Sequence, residues 1–289
     1  MKQYLDTVKE ALETGYRKEN RTGIDTLSTF NINYEVDLRE GFPLLTTKKI
    51  SWKNIVIENL WFLSGRTDIE LLLKHNCHFW DPWADENGKV PSAYGNFWRH
   101  FPLPNGESND QIAYVVDQLK TNPMSRRMGV SAWAPGNAQT SALPPCHAFW
   151  VVNTQMDENQ SPYLCLHLTQ RSCDIALGVP YNIAGYSLLL ALFSRFSGIP
   201  AGIFAHTLID AHIYTAKENG SMEEYDHVPG LQLQLQREPR ELPTLEIDPS
   251  IQNLEDIEPL LELGTDEIMS RFVLHDYDPY PAINFKVAV

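Results

Sequence analysis

Two stretches decide how this chain is read: Leu143-Pro144-Pro145-Cys146-His147 and, further on, Gln170-Arg171-Ser172-Cys173-Asp174-Ile175-Ala176-Leu177-Gly178-Val179-Pro180-Tyr181-Asn182. A cysteine between proline and histidine means little alone. Free cysteine is among the most buried residue types, so a core thiol is the plain alternative. The second stretch changes the balance. Arg171 supplies a guanidinium able to favour a thiolate. Ser172, Asp174 and Asn182 form a polar cluster suited to an anion and a planar amide. Together they read as a nucleophile with its substrate site.

Working outward, strand patterns lie at 147–153 and at 164–169, where Leu164, Leu166 and Leu168 alternate. A long helix is expected over 181–196, and a further strand over 128–133. Toward the N-terminus, Leu5, Val8 and Leu12 have helical spacing within 4–16, and Phe30, Ile32, Tyr34, Val36 and Leu38 alternate as in a strand. Residues 51–63 read as a buried helix with Glu58 its lone acid. Ile112, Val115, Val116 and Leu119 mark an amphipathic helix, with Ser108 and Asp110 as capping candidates. Two acidic stretches, 217–226 and 248–266, look like surface insertions. Strands and helices do not alternate regularly. The fold class expected is therefore α+β, with a large mixed sheet flanked by helices rather than a doubly wound sheet.

The chain has 289 residues and no linker-like, repeated or low-complexity tract, which favours one domain over 1–289. No apolar run reaches the roughly 18 residues of a membrane span, and Met1-Lys2-Gln3-Tyr4-Leu5-Asp6 lacks the apolar core of a signal peptide. A cytoplasmic protein is the expectation. The four cysteines (Cys77, Cys146, Cys165, Cys173) show no CxxC spacing, so reduced thiols and no metal are expected. The net charge of -14 argues against general nucleic-acid binding, which wants a basic stripe. It does not forbid an anionic substrate, because screening over about 8 Å leaves a phosphate sensitive mainly to its immediate neighbours. The acidity also permits a salt-adapted host.

The two opening stretches resemble thymidylate synthase, and the resemblance continues in order along the chain. It runs through Arg21-Thr22-Gly23, Gly41-Phe42-Pro43-Leu44-Leu45-Thr46-Thr47-Lys48 and Glu58-Asn59-Leu60-Trp61-Phe62-Leu63. Next come Trp80-Asp81-Pro82-Trp83-Ala84-Asp85-Glu86-Asn87-Gly88, Tyr94-Gly95 and Ser125-Arg126-Arg127. Asp210-Ala211-His212-Ile213-Tyr214 and the terminal Val287-Ala288-Val289 complete it. The match thus covers essentially the whole chain. It implies reductive methylation of dUMP at C5, with 5,10-methylenetetrahydrofolate as donor and dTMP and dihydrofolate as products. It also implies a two-fold homodimer packed through the sheets.

In that reaction Cys146 would add to C6 of uracil and make C5 nucleophilic, which is covalent catalysis, with Arg171 lowering the thiol's pKa. Glu58, Asn182 and Tyr94 would stabilise O4 and relay protons, Glu58 through a pKa raised by its apolar helix. Arg21, Arg126, Arg127 and Arg171, with Ser172, would hold the 5′-phosphate, Arg126 and Arg127 reaching into the neighbouring subunit's site. Asn182 would read uracil. Cys173 and Asp174 belong to the same substrate segment, and His212 and Tyr214 would bind the deoxyribose 3′-hydroxyl. For folate the resemblance implies Trp80, Trp83, Leu143, Asp174, Gly178 and Tyr181, with Ala288 in a C-terminal lid.

This chain departs from the family pattern at Thr207-Leu208-Ile209 (a glycine pair in many members), Ser51 (a histidine or similar polar residue associated with folate in some members), Tyr181 (usually phenylalanine) and Lys286 (usually proline). Three rival readings stand beside the resemblance. A folate-dependent dUMP or dCMP hydroxymethylase would capture the methylene with water instead of hydride. A Cys-His hydrolase would use Cys146 and His147, but adjacent strand residues point to opposite faces. A catalytically dead nucleotide- or RNA-binding regulator is opposed by the complete set Cys146, Arg171, Asn182 and Asp174.

Overall fold

The alternation of Leu164, Leu166 and Leu168 is realised as the strand Pro162–Gln170 in the computed structural model, which describes residues 1–137, 141 and 143–288. It lies in a seven-stranded mixed sheet. The order is Tyr16–Lys18, Asp25–Asp37, Ala201–Thr215, Pro162–Gln170, His147–Met156 and Gly129–Ser131, with Cys173–Asp174 alongside Ala201–Thr215. Pairing is antiparallel except where Pro162–Gln170 and Cys173–Asp174 run parallel to Ala201–Thr215. The parallel pair needs a crossover, and the helix Gly178–Ser197 supplies it. The α+β reading with a large mixed sheet holds.

One sheet face packs on that crossover helix. Trp150 meets Phe193 at 5.8 Å between ring centroids, and Tyr186 stacks on Phe204 at 6.2 Å. The helix starts earlier than periodicity indicated, at Gly178, because Pro180 sits in the first turn, where its missing N–H costs nothing. It ends at Gly198 in the left-handed conformation.

Several expectations need correction. The strand over 128–133 shortens to Gly129–Ser131. In Asp25–Asp37, Ile32 and Val36 are buried but Phe30 is 79% exposed, and Leu38 belongs to a following 3-10 turn. Asn31 interrupts this strand with φ 64, a conformation Asn tolerates better than most residues. Of the two capping candidates, Asp110 caps Gln111–Thr121 by accepting from the Ala113 N–H at 2.9 Å, while Ser108 pairs in a two-residue strand. The acidic stretch 248–266 is not a mere surface insertion. It forms the helix Ile257–Leu261 and part of Thr265–Met269, and it buries Ile251, Ile257, Leu260 and Leu261. Each such side chain contributes about 1.5–3 kcal/mol on burial, and Ile257–Leu261 packs on the helix Trp52–Ser64. The other stretch, 217–226, remains largely exposed.

Trp52–Ser64 carries Glu58, and Tyr94–Arg99 lies against it. Gly95 permits that approach: a Cβ there would sit 2.3 Å from the Phe62 carbonyl oxygen. Tyr94 is thereby brought beside the glutamate's helix. No helix among the described residues is long and apolar enough to cross a membrane.

Candidate active site

Cys146 immediately precedes the strand His147–Met156, and its thiol lines a cavity of about 270 Å³. The segment is clamped to the strand end opposite. The Arg171 N–H donates to the Cys146 carbonyl at 2.9 Å, and the guanidinium donates to the carbonyls of Pro145 at 2.9 Å and Pro144 at 2.6 Å. A guanidinium nitrogen is then left 3.8 Å from Sγ. The expected lowering of the thiol pKa by Arg171 operates, yet burial is the larger influence, so the Cys146 thiol sits above the ordinary cysteine value. Arg171 is committed to positioning two carbonyls and only partly offsets desolvation.

Glu58 behaves as its apolar surroundings predict. Desolvation raises its pKa to about 7, opposed by the indole N–H of Trp80, which donates to Oε1 at 2.7 Å. Trp80 itself is held by an edge-on contact with Tyr94 at 5.5 Å. The Tyr94 hydroxyl accepts from the Cys146 N–H at 3.3 Å, and its ring stacks on His147 at 4.4 Å. His147 therefore lines the same cavity as Cys146, contrary to the opposite-faces argument, because Cys146 lies just outside the strand's pleat. Burial lowers the His147 pKa to about 3. An imidazole whose pKa lies so low is too weak a base to take the thiol's proton, and the hydrolase reading gains nothing from it.

Across the cavity, Asn182 projects from the first turns of the crossover helix. Its Oδ1 accepts from Gln170 Nε2 at 3.0 Å, and Gln170 also donates to the Ser172 carbonyl at 3.1 Å. Asp174 Oδ1 accepts from the N–H groups of Ala176 and Leu177, which shapes the turn into that helix. Strand register places Asp174 opposite His212 on one side and Ser28 opposite it on the other. His212 Nδ1 lies 3.1 Å from the Asp210 carbonyl, and Asp210 is pushed well below the carboxylate range, chiefly by His212 and also by Lys18 and Ser28. Tyr214 lines the cavity with its pKa raised by burial to about 12, so it is a neutral donor.

Arg21, Ser172, Trp83, Leu143, Gly178 and Ala288 also line this cavity. Arg21 sits 5.9 Å from the Trp83 ring. Five named residues, Arg171, Cys173, Tyr181, Arg126 and Arg127, do not line it, Arg171 because its guanidinium is turned to the Pro144 and Pro145 carbonyls. Cys173 is fully buried with Sγ directed to the Gln170 carbonyl, as alternation requires when Ser172 and Asp174 face the cavity. Tyr181 turns its hydroxyl to the Ser51 N–H at 3.3 Å, so two departures from the family pattern are partners. Arg126 and Arg127 are exposed and lie outside the cavity of their own chain. Val289 lies outside the described residues.

Sequence reasoning missed His147, Gln170 and Phe79 as cavity residues. Gln170 carried a signal: it continues the buried phase of Leu164, Leu166 and Leu168, where a polar side chain requires a partner. A larger cavity of about 570 Å³ between the 3-10 turn Leu38–Glu40 and the strand Thr244–Ile247 has no cysteine or histidine among its described lining residues. Chemistry, not volume, selects the site.

The family model for thymidylate synthase matches residues 2–289. A thymidylate synthase from Haloferax volcanii is 42% identical over 345 aligned positions, covering 98% of this chain and 96% of that protein. A match of this extent, on a cavity that gathers the cysteine, glutamate and asparagine, shows that the chain belongs to the thymidylate synthase family.

Proposed function

We propose that this protein converts dUMP to dTMP by reductive methylation and releases dihydrofolate. The observation that carries the proposal is the convergence of a thiol, a near-neutral carboxyl and an oriented amide on one cavity: Cys146, Glu58 and Asn182. Cys146 Sγ attacks C6 of uracil, electron density moves to O4, and C5 becomes nucleophilic. Because the thiol's pKa is raised by burial, its proton must leave as the nucleotide arrives. A bound phosphate near Arg21 and Arg171 does not supply that acceptor, and Glu58, poised at about 7, is a cavity group able to exchange protons near neutral pH. Asn182 donates from Nδ2 to O4 and accepts N3–H at Oδ1. Glu58 later manages the proton that C5 must lose, with Tyr94 ordering the space between.

Arg21, Arg171 and Ser172 hold the 5′-phosphate, with the Cys173 backbone in the same segment, and His212 and Tyr214 take the 3′-hydroxyl. Trp80 and Trp83 offer flat apolar faces suited to a pterin and its aromatic linker, with Leu143 adding apolar lining, Asp174 at the polar edge, Gly178 leaving room and Ala288 closing the mouth. Tyr181 supports that wall through Ser51. When bound, 5,10-methylenetetrahydrofolate supplies both the one-carbon unit and the hydride.

The working form is a two-fold dimer. The sheet face away from the crossover helix leaves Phe149 44% exposed and Val151, His167, Thr169 and Thr207 only partly covered, a surface that a second sheet would bury. Arg126 and Arg127, unused in their own chain's cavity, then contribute to the partner's phosphate site. The test is product analysis with dUMP and folate. Equimolar dTMP and dihydrofolate support the reading; hydroxymethyl-dUMP with tetrahydrofolate would establish the hydroxymethylase instead.

A further inference from the structure

A buried line of hydrogen bonds runs from Asn182 away from the cavity and across three neighbouring strands. Gln170 Oε1 lies 3.0 Å from His206 Nε2, and His206 Nδ1 lies 2.7 Å from the Tyr34 hydroxyl. Tyr34 and His206 are paired directly in the ladder between Asp25–Asp37 and Ala201–Thr215, so strand register fixes their distance. His206 is 1% exposed, and no water is needed to complete the line.

Hydrogen inventory gives the line a single direction. The Ser172 carbonyl can only accept, so the Gln170 group facing it must be the NH₂. Oε1 then faces His206, whose Nε2 must carry the hydrogen. Burial drives the His206 pKa far down and the Tyr34 pKa far up, so both are neutral. The neutral ring with its proton on Nε2 has a bare Nδ1, which accepts from Tyr34. At the other end, the second hydrogen of Gln170 Nε2 points at Asn182, which must present Oδ1. Turning Asn182 over would set NH₂ against NH₂.

We propose that Tyr34 and His206 are specificity-determining positioning residues, holding Gln170 and through it Asn182 in the amide orientation that accepts uracil and rejects cytosine. The inference rests on the dUMP reading above and deepens it. Uracil offers a donor at N3 and an acceptor at O4, matching Oδ1 and Nδ2 as fixed. Cytosine offers the reverse pair and needs the flipped amide. Without His206, Gln170 Oε1 is left buried without its donor, and the glutamine gains reason to rotate.

The experiment compares dUMP with dCMP, by kcat/KM and by calorimetric affinity, in wild type, His206→Phe, His206→Gln and Tyr34→Phe. His206→Phe should lower the dUMP:dCMP preference roughly 10- to 100-fold, the range expected when a buried polar group loses its partner. His206→Gln keeps an N–H toward Gln170 and an oxygen toward Tyr34, and should preserve the preference. Tyr34→Phe, which deletes one oxygen, should relax it less, because it only frees the histidine's tautomer. Equal loss for both nucleotides in His206→Phe, or no movement of the ratio in Tyr34→Phe should His206→Phe not fold, overturns the proposal. Because affinity is read beside turnover, a wild type that binds dUMP without forming dTMP would defeat the activity reading while this test still stands.

Discussion

Replacing Glu58 by Gln should abolish most activity while making the protein more stable at pH 8. In the folded chain the carboxyl has a pKa of about 7 against a reference of 4.5, because it is desolvated on a helix whose neighbours Ile55, Ile57 and Leu60 are buried. Among the described residues only one hydrogen bond, from the Trp80 indole, favours its charged form. A raised folded pKa contributes stability that is intact below 4.5 and lost as pH rises through 7. Between those values the unfolded chain has released the proton and the folded chain has not. A gap of about 2.5 pH units at about 1.4 kcal/mol each sets a ceiling of about 3.5 kcal/mol. Partial contact of Glu58 with the cavity brings the expectation to about 2 kcal/mol. The substituted amide stays neutral at every pH and can still accept from Trp80.

The assay is denaturant unfolding of wild type and Glu58→Gln from pH 4.5 to 8.5. The difference between them, in which all other titrations cancel, should grow from 4.5 to 7 and then level off. Turnover should fall by about 10²–10⁴, as for loss of a general acid–base group, and the inflection near pH 7 in the wild-type kcat profile should vanish. Trp80→Phe, which removes the one donor, should move that inflection upward by about 1–2 pH units, the equivalent of a charge-assisted hydrogen bond. A stability difference flat with pH would refute the argument that desolvation governs this carboxyl.

Three further outcomes follow from the site. Cys146→Ala should bind dUMP yet lose turnover by several orders of magnitude, while wild type with 5-fluoro-dUMP and folate should yield a covalent complex visible by mass spectrometry; appreciable dTMP from the mutant would remove Cys146 as nucleophile. Mixing inactive Cys146→Ala with inactive Arg126→Glu subunits should restore activity after exchange, because one hybrid site then receives both intact parts, and silence after verified exchange would end the shared-site reading. Asn182→Asp should swing the dUMP:dCMP ratio of kcat/KM toward dCMP by roughly 10- to 100-fold, since a protonated carboxyl can donate to N3 of cytosine and accept from its amino group; an unchanged ratio would make Asn182 structural.

What the sequence made legible was whatever depends on neighbours along the chain. Leu164, Leu166 and Leu168 announced a strand buried on one face, Asp110 announced a helix start, and Glu58 among apolar residues announced a displaced pKa. Quantities that depend on competition between distant groups were less accessible. Arg171 was rightly placed beside Cys146, but its effect on the thiol depends on two backbone carbonyls that occupy its N–H groups and on burial that outweighs it. Strand position was also misread where the pleat begins one residue later: Cys146 lies outside it, so His147 shares the cavity instead of opposing it.

The Tyr34–His206 pair was the hardest to see, because each residue taken alone is an ordinary polar interruption of a buried strand phase. Ile32 and Val36 flank the tyrosine, and Phe204 and Leu208 flank the histidine, all four buried on the crossover-helix side. A polar residue in such a phase demands a partner, and two of them on adjacent strands demand each other once register is known. Register is the one quantity that neither strand's sequence contains, since a slip of a single residue would turn the whole set to the other face. The pairing of residue 34 with residue 206 thus converts two isolated anomalies into a directed line ending at Asn182. It also explains why a substitution at position 34, far along the chain from the nucleotide's amide partner, is expected to alter which base is accepted.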